Sequence, residues 1–323
     1  MRDRGRNRGK YMGRGEKGIA LLVVLWVTVI MMVMGISFSW LVRADVNASR
    51  AFKEAAQKKF TAQAGIERGI MELLYRQAAM RKPVLEQDDF CRIDGTAFYG
   101  RFGAGFYALR ISDESGKIPL NSMTESTSEV LKNLLMNFGI PEDSADTIVD
   151  SILDWKDSDE LHRLHGAESD YYLSLPNPYR AGNSEFETLE QLLLVKGVTR
   201  EALFGDGSRQ GIIRYLTIYS GVERINVNAA PAAVLESVPG ITREKAAQIM
   251  GKRAESPVTL ADLQELLAGD FSRAAVYLTD KESSVYEIVA AGCLQSEADG
   301  VLTRAIVRIM EPDFNFLYYK CPG

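Results

Sequence analysis

From Ile19 to Val42 the chain reads IALLVVLWVTVIMMVMGISFSWLV, 24 residues without a charged side chain. At about 1.5 Å per residue a helix of that length covers roughly 36 Å, enough to cross a bilayer. From Arg43 to Met80 there is no proline, and Phe52, Ala56, Phe60, Ala64, Ile70, Leu73 and Leu74 recur at spacings of three and four on a polar background. That periodicity predicts an amphipathic helix. Joined, the two segments predict one helix from about Ile19 to Met80, ended by Pro83 and roughly 90 Å long. A membrane helix followed by a separate soluble one fits the same pattern, with Gly65 and Gly69 as kink sites.

The period then changes. Ala97, Tyr99, Phe102, Phe106, Ala108, Leu109 and Ile111 sit among glycines, which predicts a hairpin or two short strands within 90–112. DESGKIPLN (113–121) reads as a loop, and from Ser122 to about Asp280 the pattern is helical, punctuated at Gly139, Pro176 to Pro178, Gly197, Gly205 to Gly211 and Pro239-Gly240. Strand signals return in VYEIVAAGC (285–293), in LTRAIVRIM (302–310) and at 314–319. In the second of these, polar and apolar positions alternate through Leu302, Arg304, Ile306, Arg308 and Met310. An α+β fold follows: a small antiparallel sheet, split by a large helical insertion and packed on the polar half of the long helix.

Charge orients this plan. Residues 1–18 carry a net +5 and the remainder −10, so the basic arm before the apolar run is cytoplasmic and everything from Arg43 onward lies across the membrane. The run is longer than the apolar part of a secretory signal peptide, and only the weak Val46-Asn47-Ala48 follows as a cleavage site. A body this acidic argues against general nucleic-acid binding, which rests on Lys and Arg. Cys91, Cys293 and Cys321 are too few for a disulfide scaffold and match no zinc-ligand spacing.

One segment carries concentrated chemistry. In DWKDSDELHRLHGAESD, Asp154, Asp157, Asp159, Glu160, Glu168 and Asp170 crowd together with only Lys156 and Arg163 opposing them. Carboxylates at this density repel unless solvated or neutralised, and Ca²⁺ takes six to eight oxygens of this kind, although the spacing is not that of an EF-hand. An exposed acidic helix end fits equally well. His162 and His165 read as surface residues, and a hydrolytic Asp154/Asp159 pair has no cleft beside it. No phosphate-binding loop or GxSxG occurs.

INVNAAPAAVLESVPGITREKAAQIMGKR (225–253) resembles a helix-hairpin-helix, with Pro239, Gly240 and Ile241 at the turn and Thr242 where a second glycine is usual. Residues 119–282 nevertheless carry a net −11, which favours protein packing over DNA.

The start of the chain resembles a prepilin signal: a basic leader ending in Gly18, then Ile19, then the apolar run without a spacer. Beyond it, EKGIALLVVLW, AQAGIERGI, DESGKIPLN, DWKDSDELHRLHGAESDYYLSLPNPYR, LEQLLLVKGVTRE and INVNAAPAAVLESVPGI are similar to the type II secretion minor pseudopilin K family. The resemblance implies cleavage between Gly18 and Ile19 by a prepilin peptidase, with methylation of the new amine. It implies a leader at 1–18, a transmembrane helix at 19–42, a pilin-like core at 43–118 and 283–323, and an inserted helical domain at 119–282. It further implies structural Ca²⁺ held by Asp154, Asp157, Asp159, Glu168 and Asp170. The expected partners are minor pseudopilins I and J, the inner membrane, the secretin and exported protein, with no nucleic acid and no enzymatic activity. Many such subunits carry glutamate at the fifth mature position; here it is Val23, as suits a tip subunit with nothing stacked above it. The cysteines stay unassigned: Cys293 with Cys321 would tie the last strands, and Cys91 is equally available. The competing reading is a membrane-anchored DNA receptor of a competence or type IV pilus-like system, using the helix-hairpin-helix.

Overall fold

The computed structural model describes residues 14–79, 91–208, 210–310 and 312–321. Most of the basic leader and Pro83 therefore lie outside the described residues. The chain divides into two units, Met1–Ala56 and Gln57–Gly323. One helix, α1 (Arg14–Ala79), contributes to both.

In the first unit the side chains of α1 from Ala20 to Arg50 are exposed throughout, including Leu21, Trp26, Met31 and Trp40. Thr28 Oγ1, inside the apolar run, donates to the Leu25 carbonyl at 2.8 Å, which satisfies its hydroxyl without water. The helix is long and apolar enough to cross a membrane.

The second unit holds a sheet and a helical region. Strands β1 (Phe98–Phe102) and β2 (Gly105–Asp113) form a hairpin; β3 (Ile118–Pro119), β4 (Leu216–Thr217), β5 (Ile225–Asn226) and β6 (Leu278–Thr279) are two-residue bridges; β7 (Val285–Cys293), β8 (Val301–Met310) and β9 (Asp313–Lys320) follow. The main sheet has the order β1-β2-β7-β8-β9, antiparallel throughout. Its β2–β7 pair, Leu109 opposite Ala290 and Ile111 opposite Ile288, joins segments on either side of the insertion. The four short strands form two parallel bridges, β3–β4 and β5–β6; β3 lies in the segment that reads as a loop, and β4, β5 and β6 lie in the stretch that reads as helical. The helices there are α2 (Glu129–Asn137), α3 (Glu142–Lys156), α4 (Ser169–Leu173), α5 (Arg200–Phe204), α6 (Ala232–Leu235), α7 (Arg243–Glu255), α8 (Leu260–Leu267) and α9 (Phe271–Ala274).

Two cores result. Ile66, Ile70 and Leu73 of α1 pack on Leu109, Ile111, Ile288, Ala290, Ala305, Val307 and Ile309 of the sheet. Leu131, Leu134, Ile148, Ile152, Leu235, Ile249 and Leu263 belong to a second core within the helical region. The stripe read from the sequence of α1 holds at its end, where Ile70 and Leu73 are buried, and departs before it: Phe52 and Phe60 are 78% and 60% exposed, and the buried face runs instead through Ala62 and Ile66. Gly65 and Gly69 explain the choice. A Cβ would stand 2.8 Å from Ala290 Cβ at Gly65 and 2.9 Å from Ile288 Cγ2 at Gly69, so these glycines let the helix lie close on β7 rather than kink it.

The segment DESGKIPLN, expected as a loop, is a buried polar neck between the two cores. Asp113 accepts from Ser115 N at 2.9 Å, Asn226 Nδ2 at 3.0 Å and Ser283 N at 2.8 Å. Lys117 Nζ donates to Glu114 and, at 2.8 Å, to Glu287. Glu114 accepts from Thr217 Oγ1, and Glu287 from Arg304 Nε.

The three cysteines are free. A Cys293–Cys321 bridge, entertained above, does not fit the topology. Cys293 ends β7, Cys321 follows β9, and β8 lies between them. Two inter-strand spacings come to about 9.5 Å, beyond the roughly 7 Å limit between Cα atoms of a disulfide.

Candidate metal centre

The acidic segment is built from the end of α3. Three consecutive residues leave that helix in different directions. Trp155 packs edge-on to Tyr172 at 5.3 Å and stacks on Phe186 at 6.3 Å between ring centres. Lys156 Nζ donates to the carbonyls of Leu120 at 2.7 Å and Met123 at 2.8 Å, while burial depresses its pKa to about 8. Asp154, fully buried, turns toward the loop that follows.

That loop is folded around Arg163. Its Nη1 donates to Asp154 at 2.6 Å and Asp157 at 2.7 Å, its Nε to Glu125 at 3.2 Å, and its backbone N–H to Asp154. His165 N donates to Asp150 at 3.0 Å, and Lys196 Nζ to the Gly166 carbonyl at 2.9 Å. A Cβ on Gly166 would overlap Asp154 Oδ2, so only glycine permits this approach.

Glu168 closes the loop. It is the N-cap residue of α4, yet its carboxylate does not cap the helix. Instead one oxygen each from Asp154, Asp157 and Glu168 lie within 4.8 Å of one another. Glu168 is 1% exposed, and neither of its carboxylate oxygens has a hydrogen-bond partner; Asp157 Oδ1 is likewise buried and unpartnered. Burial, reinforced by the charges of Asp154, Asp157, Glu160 and Asp159, pushes the Glu168 pKa up to about 7. Burial also raises that of Asp154, against the opposing pull of Arg163. Buried carboxylate oxygens without donors are costly unless a cation meets them. Three hard oxygen donors in an irregular loop suit Ca²⁺ better than a thiol- or imidazole-seeking metal.

Of the five carboxylates singled out in the sequence, the structure brings together Asp154, Asp157 and Glu168. Asp159 and Asp170 fall outside this group. Asp159 accepts from Leu161 N at 2.8 Å, after α3, and Asp170 from Tyr171 N at 2.7 Å, at the start of α4; both are exposed. Glu160 holds Ser169 through N and Oγ. His162 and His165 are exposed. Arg163 and Gly166 shape the site and were not singled out by sequence as part of it. Their signal is weak: a lone arginine and a lone glycine inside an acidic run.

Pro239, Gly240 and Ile241 do form a turn between α6 and α7, with Gly240 at φ +91°. Thr242, in the place of the second glycine, caps α7 by accepting from Lys245 N. The turn faces Asp270: a Cβ on Gly240 would sit 3.2 Å from its carbonyl oxygen, and Lys245 Nζ pairs with its carboxylate. A carboxylate stands against the turn that would receive a phosphate, and a nearby cation is already engaged. Gly18 and Ile19 lie on the backbone of α1, five or fewer residues from its start at Arg14.

A groove of about 820 Å³ runs between α1 and the β1–β2 turn, lined by Phe60, Ala64, Met71, Phe102, Tyr107 and Leu294 among others. It is the apolar face of α1 that the sheet leaves uncovered.

Comparison with known proteins agrees with this architecture. Two family models, both described as type II secretion system (T2SS) protein K, match residues 111–204 and 225–279. The type II secretion system protein K of Pseudomonas aeruginosa PAO1 is 24% identical over 291 residues, covering 85% of this chain and 81% of that one. The putative type II secretion system protein K of Escherichia coli K12 is 24% identical over 230 residues, 67% of each chain. That of Pectobacterium carotovorum is 36% identical over 75 residues, 23% of each. In fold, the chain is similar to one in the crystal structure of the GspK-GspI-GspJ complex from the enterotoxigenic Escherichia coli type 2 secretion system. The TM-score is 0.57 at 15% identity, covering 86% of this chain and 99% of that one. The split sheet and helical insertion thus occur together with sequence that matches both type II secretion system protein K models, and in sequence and fold the chain is similar to that family.

Proposed function

We propose that this chain is a minor pseudopilin that caps the tip of the type II secretion pseudopilus and supports protein export across the outer membrane, by a mechanical rather than a catalytic route. The observation that carries the reading is the pairing of an unsheathed apolar helix with a head built into the sheet by the β2–β7 pair. Lipid, and then sister helices, would cover the exposed side chains of α1, exchanging lipid contacts for helix contacts on assembly. The groove beside Phe60 and Met71 supports docking of sister subunits, and minor pseudopilins I and J, named with GspK in the related complex, are the partners expected. A bulky head suits a terminal rather than a repeating position. Val23, in place of the acidic residue common at the fifth mature position, supports the same place.

In this reading a prepilin peptidase cuts between Gly18 and Ile19, the helix anchors the chain in the inner membrane, and residues from Arg43 onward are periplasmic. Asp154, Asp157 and Glu168 would hold Ca²⁺. The ion would neutralise the buried carboxylates and fasten the loop between them; Arg163 orients two of these side chains. The decisive experiment is N-terminal sequencing of the membrane-extracted protein from cells with and without prepilin peptidase, together with co-purification of subunits I and J. Processing to Ile19 and a stable complex are expected. A protein that still begins at Met1 and purifies alone overturns the reading.

A further inference from the structure

Leu161 and Leu164 are 80% and 89% exposed, the two most exposed large apolar side chains among the described residues, exceeding even those of the membrane helix. Burying a leucine is worth about 1.5–3 kcal/mol, and single exposed leucines on a surface are ordinary. This pair is different because the backbone that carries it is pinned. Leu161 N donates to Asp159, Arg163 between the leucines is tied to Asp154, Asp157 and Glu125, and His165 N is held by Asp150. The two ends of the loop meet where Asp157 approaches Glu168. A loop fastened this firmly could fold its leucines inward against α4 or be replaced by polar residues; it holds them out instead.

We infer that Leu161 and Leu164 form a docking element that enters an apolar pocket, rimmed by lysine or arginine, on a protein partner. Charge selects that occupant. Residues 157–170 carry Asp157, Asp159, Glu160, Glu168 and Asp170 against Arg163, a net −4 that one divalent ion reduces to −2. Glu125 and Asp150 add to the acidic surround. An anionic lipid surface is repelled by such a loop, and so is a second copy of this acidic chain. A protein pocket with a basic rim complements it, with two leucines at i and i+3 as anchors. The inference rests on the proposed function only in placing the partner in the same compartment.

The test places the photo-reactive p-benzoylphenylalanine at Leu164 of the full-length chain, with the same probe at exposed Glu265 as control, and irradiates intact cells. A cross-link specific to position 164 is expected. Its partner peptide should map to an apolar pocket flanked by Lys or Arg. The added change Leu161→Asp should lower its yield about tenfold, with melting temperature and co-purification of subunits I and J unchanged. Cross-links to phospholipid, to a second copy of the chain, or in no greater yield than at 265 overturn it. Loss of the sister subunits with the cross-link retained overturns the proposed function instead, so the two failures are distinguishable.

Discussion

Lys117 Nζ lies 2.8 Å from Glu287 Oε2, tying the entrance of the helical region to the middle strand of the sheet. Both side chains are largely buried, and Glu114 and Arg304 complete the alternation of charge. Burial works against the Lys117 charge, but Glu114 and Glu287 outweigh it and raise its pKa; burial likewise works against the Glu287 charge, and Lys117 and Arg304 hold its pKa down. Lys117→Met leaves buried Glu114 without its cation and Glu287 with Arg304 alone, and is expected to cost about 3–5 kcal/mol, read as a lower denaturation midpoint. Because the folded pKa of Glu287 is depressed, its contribution is present above the ordinary value of 4.5 and is lost as pH falls below it. The wild-type melt should therefore drop in acid more steeply than that of Glu287→Gln.

Glu168 without a bound ion should show the opposite dependence on pH. Glu168 has a folded pKa raised from 4.5 to about 7, so in chelator its contribution is most favourable below pH 4.5 and declines as pH rises toward 7. Added Ca²⁺ is expected to raise the melting temperature by several degrees at pH 7.5 and hardly at all at pH 5, where the protonated Glu168 is a poor ligand. Glu168→Gln should abolish the Ca²⁺-dependent gain in scanning calorimetry; Asp159→Asn and Asp170→Asn should retain it, since both residues lie outside the cluster. A gain in Glu168→Gln equal to wild type would remove the ion from this site.

Gly292, on β7, lies against the backbone of α1: a Cβ there would overlap the Lys58 carbonyl oxygen. No rotamer relieves a clash with main chain. Gly292→Ala should lower stability by about 2 kcal/mol or more, whereas Gly251→Ala, in open space on α7, should leave stability unchanged or slightly improved, as urea titration would reveal.

Thiol labelling addresses the cysteines. Cys321 is partly exposed, whereas Cys91 and Cys293 are buried, and burial pushes the pKa of both upward. A chromogenic disulfide reagent should react with Cys321 first in the native protein and with all three thiols after denaturation. Only one reactive thiol in the denatured state would reveal a bridge where the structure has free cysteines.

Much of this protein is legible along the chain. The apolar run of α1, the helical stretches of the insertion and the strands on either side of it follow from periodicity, because burial of one face imposes a period of two or 3.6 on neighbouring residues. Which face is buried is another matter. Phe52 and Phe60 lead into Ile70 and Leu73 as regularly as Ala62 and Ile66 do, and the outcome rests on Gly65 and Gly69 meeting Ala290 and Ile288 from more than two hundred residues away. The same holds for charge. Five carboxylates in one segment look alike in sequence, yet a glycine at 166 and the fork of Arg163 draw Asp154 and Asp157 toward Glu168, while Asp159 and Asp170 each accept from a neighbouring backbone N–H. DESGKIPLN, polar enough to pass for a surface loop, is buried because its charges find partners on β4, β5 and β7. Local pattern reports the surface each segment needs to hide; the partner that hides it is set by packing between segments remote in sequence.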